Sequence, residues 1–154
     1  MTKIVVRFPD PMRAVLDILR ATLPAVTFGT VQPEEMASSP LPYVMVRLDG
    51  SFRSVVTKSA TVRISAWAST ESAALDLAES IESELLGYRG GAKVRSIAPL
   101  TGAFPTFDPD YGAALASFTV AVRLRPLQVV PSGDGAGAVL IDFIDADFVS
   151  ADFL

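Results

Sequence analysis

Residues 116–125 read ASFTVAVRLR, and the alternation within this stretch decides the fold class. Every second position is apolar, and these positions are Phe118, Val120, Val122 and Leu124. Successive side chains of a β-strand point to opposite faces, so the pattern predicts a strand with one face buried in a core. The intervening residues, which include Arg123 and Arg125, are expected on the polar face of the same sheet.

Further strands and two long connections are expected upstream of this stretch. The other strand candidates are residues 27–32, 42–49, 61–67 and 93–100. Residues 50–59 and 102–112 are rich in turn residues, which predicts loops that project from the sheet. Loops of this length in compact domains usually serve function, so we expect them to contact neighbouring molecules.

Two amphipathic helices are predicted between the strands. The first begins at Asp10-Pro11, where Asp can cap and Pro fits the first turn, and it ends before Pro24. The second begins after Ser69 or Thr70 and stops at Gly87. The order helix, three strands, helix, two strands predicts an α+β fold: a mostly antiparallel sheet with both helices packed on one face.

The chain is predicted to divide into three parts. Residues 1–126 form the folded domain, residues 127–138 form a Gly/Pro-rich linker, and residues 139–154 form an extended C-terminal arm. The arm mixes bulky apolar residues with four Asp and has no basic residue. Disordered tails are usually poor in aromatic and branched residues, so docking on another surface explains this composition better than a frayed acidic terminus does. Its aromatic residues, Phe143, Phe148 and Phe153, are the expected anchors.

Composition limits the possible functions. The chain has no Cys and no His, which removes disulfides, thiolate chemistry and the commonest general base and metal ligand. A hydrophobic share of 50% with a charged share of 19% suggests apolar surface kept for a partner. The net charge of −4 argues against a dedicated nucleic-acid binder. No apolar run approaches the roughly 20 residues of a membrane-spanning helix, so no membrane association is expected.

Few residues offer chemistry. Asp108 and Asp110 could form a carboxylate pair, but a Pro between two Asp is more typical of a turn. Residues 87–91 (GYRGG) close a helix, whereas a phosphate-binding loop opens one. We therefore predict no catalytic residue, no metal and no cofactor.

Basic side chains are expected at interfaces instead. The polar face of the sheet is predicted to carry Arg47, Arg63, Arg123 and Arg125. The candidate interface residues of the domain are Arg53, Lys58, Asp108, Asp110, Arg123 and Arg125. In a net acidic protein, contacts with a neighbouring molecule are the favoured use of such arginines.

The order of elements carries a family resemblance. Residues 42–47 (PYVMVR), residues 61–68 (TVRISAWA), the Ala/Leu-rich second helix and residues 108–111 (DPDY) before a Val/Arg strand form the pattern. Over residues 8–126 it resembles the tail terminator proteins of long-tailed, siphovirus-type phages, especially those of actinobacterial hosts. The C-terminal arm is not part of that resemblance.

The resemblance implies a structural, non-enzymatic virion protein. Such a protein forms a homo-oligomeric ring, expected to be a hexamer, at the head-proximal end of the tail after assembly in the host cytoplasm. Its implied partners are further copies of itself, the tail tube protein and a head-completion or stopper protein, while genome DNA passes through the ring without sequence-specific binding.

Two alternatives remain at this stage. One is a head-tail stopper or neck adaptor of the same particle. The other is a small hydrolase using Asp108 and Asp110, against which the absence of His and Cys argues.

Overall fold

The computed structural model describes residues 3–31, 41–108 and 113–132 of the 154-residue chain. The elements in chain order are β1 Lys3–Arg7, α1 Pro11–Thr22, β2 Thr27–Gly29, β3 Tyr43–Arg53, β4 Lys58–Ala68, α2 Glu71–Leu86, β5 Val94–Asp108, β6 Ala113–Leu124 and β7 Gln128–Ser132. A five-stranded sheet has the order β2-β3-β4-β6-β5, and β1 and β7 form a separate two-stranded sheet. The predicted α+β fold is confirmed.

The main sheet is antiparallel except where β2 runs parallel to β3. Both helices pack on the same face and share one core with it. The sheet's contribution to that core includes Val62, Ile64, Phe118, Val120 and Val122, all fully buried. The alternation of residues 116–125 therefore predicted the correct face.

The helix boundaries follow their capping residues. The Asp10 carboxylate accepts a hydrogen bond from the backbone N of Met12 at 3.0 Å, and Pro11 is the first helical residue of α1. The Thr70 hydroxyl accepts from the backbone N of Ala73 at 3.1 Å, and α2 ends at Gly87. These are the predicted boundaries, because capping depends on local sequence.

The prediction of a loop over residues 50–59 is wrong for most of its length. Strands β3 and β4 pair as far as Arg53 and Lys58, and only residues 54–57 turn. Ser54 closes this turn, since its backbone N donates to the carbonyl oxygen of Thr57 at 2.8 Å. A β-bulge between Leu48 and Gly50 accommodates one extra residue in β3, and the pairing of β3 with β4 continues beyond it.

The prediction of a Pro-rich loop over residues 102–112 is also wrong up to Asp108, where β5 ends. This strand lies at the edge of the sheet, where proline is tolerated because the outer side of the strand needs no ladder hydrogen bond. Register shifts on either side of Thr101 break its pairing with β6. In this irregular part the backbone N of Ala103 donates instead to the Glu82 carboxylate of α2 at 2.9 Å.

The predicted start of the linker is wrong as well. Residues 128–132 form β7, which pairs antiparallel with β1 from Arg7↔Gln128 to Lys3↔Ser132. The folded part of the chain therefore continues past residue 126, and we call the β1–β7 pair the ribbon. Residues 133–138 of the linker and the arm, residues 139–154, lie outside the described residues.

Candidate assembly surface

The sheet has one face covered by the helices and a second face on which no described helix packs. Because Val62 and Ile64 are buried in the core, their neighbour Arg63 points to the second side. Cross-strand partners share a face, so Arg47 lies there opposite Arg63. By the same rule Phe52 and Arg123 lie there, each opposite Ser59. We call this side the open face.

The middle of the open face is a row of cationic and hydroxyl side chains. Arg47, Arg63, Thr119 and Thr101 follow one another across four strands. Two arginines directly opposite each other repel, and Asp49 relieves this through an ion pair with Arg63 at 2.9 Å. Asp49 lies at the β-bulge of β3, so the bulge places a carboxylate beside the arginine row.

The row of open-face residues nearest the turn of the β3–β4 hairpin contains both an exposed aromatic ring and a guanidinium. It consists of Phe52, Ser59, Arg123 and Ser96. The Phe52 side chain is 72% exposed, and the turn beyond it presents Val55 and Val56. We call Phe52, Val55 and Val56 the hairpin end. Three exposed apolar residues within five positions of the sequence make this end a candidate contact surface.

The opposite end of the same face is closed. Trp67 and Met45 are buried there, and the ring centroids of Trp67 and Tyr43 are 6.0 Å apart. The buried hydroxyls of Ser65 and Ser117 satisfy each other at 3.1 Å. Trp67, the single Trp of the sequence, is therefore a packing residue.

Tyr43 fixes the chain at this closed end. Its hydroxyl donates a hydrogen bond to the carbonyl oxygen of Val31 at 2.5 Å. Burial raises the pKa of the Tyr43 phenol above its ordinary value of 10.0, because the charged phenolate would lose its hydration. The phenol therefore remains a hydrogen-bond donor at neutral pH.

Three of the predicted interface residues, Arg123, Arg53 and Lys58, lie in different surroundings. Arg123 is exposed on the open face. Arg53 turns to the helix side instead, where its guanidinium donates to the carbonyl oxygen of Val6 and lies 5.3 Å from the centre of the Phe8 ring. Lys58 is half-buried opposite Arg53.

Among the remaining predicted residues, Arg125 and Asp108 lie near opposite ends of β5. Arg125 is half-buried, and its Nε donates to the carbonyl oxygen of Gly91 at 2.7 Å, so it holds the turn before β5 rather than joining the exposed arginine row. Asp108 ends β5 opposite Ala113 in the register. The other predicted residues, Asp110, Phe143, Phe148 and Phe153, lie outside the part of the chain that the structure describes.

Residues 87–91 form a turn rather than a phosphate site. They follow the C-terminal end of α2, and Gly90 has φ of +92°. A Cβ atom at Gly90 would lie 2.8 Å from the carbonyl oxygen of Arg95, so a side chain there would be strained on both counts.

A shallow apolar groove of about 440 Å³ separates α1 from the start of β5, and Ala14, Ile18, Tyr88 and Val94 help to line it. Its nearest charged pair, Lys93 and Asp17, is 4.0 Å apart and exposed. Among the described residues no group of His, Cys, Asp or Glu could hold a metal ion, and no helix there is long and apolar enough to cross a membrane.

Phe52 is the residue of this surface that the sequence analysis missed. Its segment was interpreted as a loop because Gly and Ser flank it, although Phe52 and Val55–Val56 are apolar residues beside a predicted strand. Comparison of the chain with protein-family models and with curated proteins finds no match.

Proposed function

We propose that this chain is a structural subunit of a ring that caps the tail tube of a long-tailed phage, ends tail elongation and offers the surface for head joining. The proposal takes its identity from the resemblance over residues 8–126. Within that range the fold has the expected order of helix, three strands, helix, two strands.

The exposed hairpin end is the main support for the proposal that the chain assembles with further subunits. Phe52, Val55 and Val56 are 72%, 68% and 62% exposed, and all three lie at the tip of a long hairpin. Leaving apolar side chains in water is unfavourable, and contact with another subunit would remove them from it.

Two unlike edges support a ring over a simple dimer. On the outer side of β3, the described pairing with β2 stops at Met45, which leaves residues 46–53 as one edge. The outer side of β5, the last strand of the sheet on that side, is the other edge. A subunit that joins one kind of edge to a different kind makes a heterologous contact, which generates a ring when the rotation between successive subunits closes.

The competing virion role, a stopper or neck adaptor, differs in what it binds. A terminator binds the end of the tail tube, whereas a stopper binds the portal complex. Purified protein mixed separately with cognate tail tubes and cognate portal complexes should be retained by the tubes. Retention by portals alone would contradict the proposal.

Substitution at the hairpin end tests whether this surface is needed for retention by the tail tubes. Phe52→Asp should abolish retention by the tubes, because a carboxylate would have to be desolvated in an apolar contact. Val31→Asp is a matched control, because Val31 is also 72% exposed but lies after β2, beyond the strands of the hairpin. If Phe52→Asp retained normal binding, the hairpin end would not be an assembly surface.

A further inference from the structure

The charges of the chain are divided unequally between the folded part and the C-terminal segment. Residues 1–132 contain all 13 Lys and Arg but 12 of the 17 Asp and Glu, which leaves a formal charge of +1. Residues 133–154 contain the other five acidic residues, all Asp, and no basic residue. The acidic character of the protein therefore comes entirely from the C-terminal segment.

The open face is complementary to that segment in charge and in apolar character. It exposes Arg47, Arg63 and Arg123, and Asp49 forms an ion pair with Arg63. Arg123 and Arg47 have no ion pair within the described residues. Phe52 lies on the same face, in the row of Arg123. The arm offers the matching partners, Asp side chains alternating with Phe, Ile, Leu and Val.

The described chain ends on the ribbon, which Arg53 joins to the main sheet. Arg53 holds the base of the ribbon from the helix side of the sheet, through Val6 and Phe8. Ser132, the last described residue, lies at the far end of the ribbon opposite Lys3. Six residues, 133–138, separate Ser132 from the arm, and they can span at most about 22 Å.

We propose that residues 139–154 dock on the open face of a neighbouring copy, where their Asp side chains pair with Arg47 and Arg123 and their apolar side chains cover Phe52. This inference rests on the ring proposal, because the ring supplies the neighbouring copy. It goes further by assigning the arm a specific acceptor.

Cross-linking tests the contact directly, because the natural chain has no Cys. One full-length chain carries Ser96→Cys, which lies beside Arg123 on the open face and is exposed. A second full-length chain, distinguished by its mass, carries Ser150→Cys in the arm. A short bismaleimide is added to the mixture in concentrated solution and on capped tubes. Ser72→Cys on α2 replaces Ser96→Cys in the control, because it is exposed on a helix and not on the open face.

The expected product is a cross-linked pair of the two chains, absent with the Ser72→Cys control. Arg47→Glu with Arg123→Glu should reduce its yield about tenfold, the change that corresponds to the loss of interfacial charge pairs of modest strength. A product no more abundant than the control overturns the proposal. If a chain carrying both Ser96→Cys and Ser150→Cys cross-links only within itself, the arm docks in its own subunit and the assignment to a neighbour is wrong.

Three further outcomes distinguish the arm contact from its alternatives. Capped tubes without the cross-link would leave the ring function intact and overturn the arm contact, whereas the cross-link without capping would support the contact and contradict the function. If a short duplex DNA bound the full chain, lost binding with Arg123→Glu and no cross-link formed, the open face would be a DNA surface and the proposal would be overturned.

Discussion

Arg53 of β3 donates a hydrogen bond to the backbone carbonyl oxygen of Val6 on β1, across 47 positions of sequence. The same guanidinium lies over the ring of Phe8, whose side chain packs against the core. One side chain therefore joins the hairpin, the ribbon and the core. A residue expected to meet a neighbouring subunit acts within its own chain.

Arg53→Ala should lower the free energy of unfolding by about 1–2 kcal/mol, the combined value of a charged hydrogen bond and an exposed cation–π contact. Arg53→Lys keeps the charge but loses the planar fork, so it should recover only part of this loss. Arg47→Ala is the control, with an expected change within about 0.5 kcal/mol. Denaturant unfolding measures all three, and equal stabilities for Arg53→Ala and Arg47→Ala would show that the Arg53 contact contributes nothing.

Two phenylalanines should separate folding from assembly. Phe118 is fully buried, so Phe118→Ala should lower the free energy of unfolding by about 3–5 kcal/mol through the cavity it leaves. Phe52 is 72% exposed, so Phe52→Ala should change stability by less than about 0.5 kcal/mol while weakening tube capping. Thermal unfolding and capping assays on both variants provide the comparison. A large loss of stability from Phe52→Ala would mean that its ring is buried within the subunit.

The hydroxyl pair of Ser65 and Ser117 should behave as a unit. Ser65→Ala leaves the buried Ser117 hydroxyl without this partner, at a cost of about 1–2 kcal/mol in the free energy of unfolding. Ser65→Ala with Ser117→Ala removes both polar groups, so its cost should be smaller than the sum of the single changes. A double-mutant cycle measures the coupling, and strict additivity would show that the two hydroxyls do not interact.

Tyr43 should make stability depend on alkaline pH. Its pKa is raised in the folded protein, so above pH 10 the unfolded chain loses the phenol proton first. The stabilisation linked to this group is therefore full below the unfolded-state pKa and is lost as pH rises through the folded-state pKa. Tyr43→Phe should show a shallower loss of stability with pH in this range, although it also removes the bond to Val31. Parallel pH profiles for the two proteins would contradict the assignment.

Local signals in the sequence predicted the helices and the central strands well. Capping residues determine where a helix begins, and a period of two reveals which residues of β6 are buried, so Asp10, Thr70 and Phe118 were all placed correctly. Both kinds of signal depend on neighbours within a few positions.

Long-range pairing was not predictable in the same way. Strands β1 and β7 are short and lie at opposite ends of the described chain. Neither could be recognised as a strand from its own sequence, because each is paired only with the other in the ribbon. The Pro residues of β5 indicated a loop because the sequence does not reveal that this strand occupies an edge. The face and contacts of a side chain depend on such pairing, so neither the intrachain contact of Arg53 nor the exposure of Phe52 could be predicted, whereas the alternation predicted the face of Arg123.

Electron cryomicroscopy of cognate tail tubes incubated with the purified protein would show whether the protein caps the tube as a ring. We expect a closed ring of six copies at one end of each tube, with hairpin ends in the contacts between subunits and no further growth when tube protein is added. A single bound copy, an open helical array, or tubes that continue to lengthen with the protein bound would contradict it.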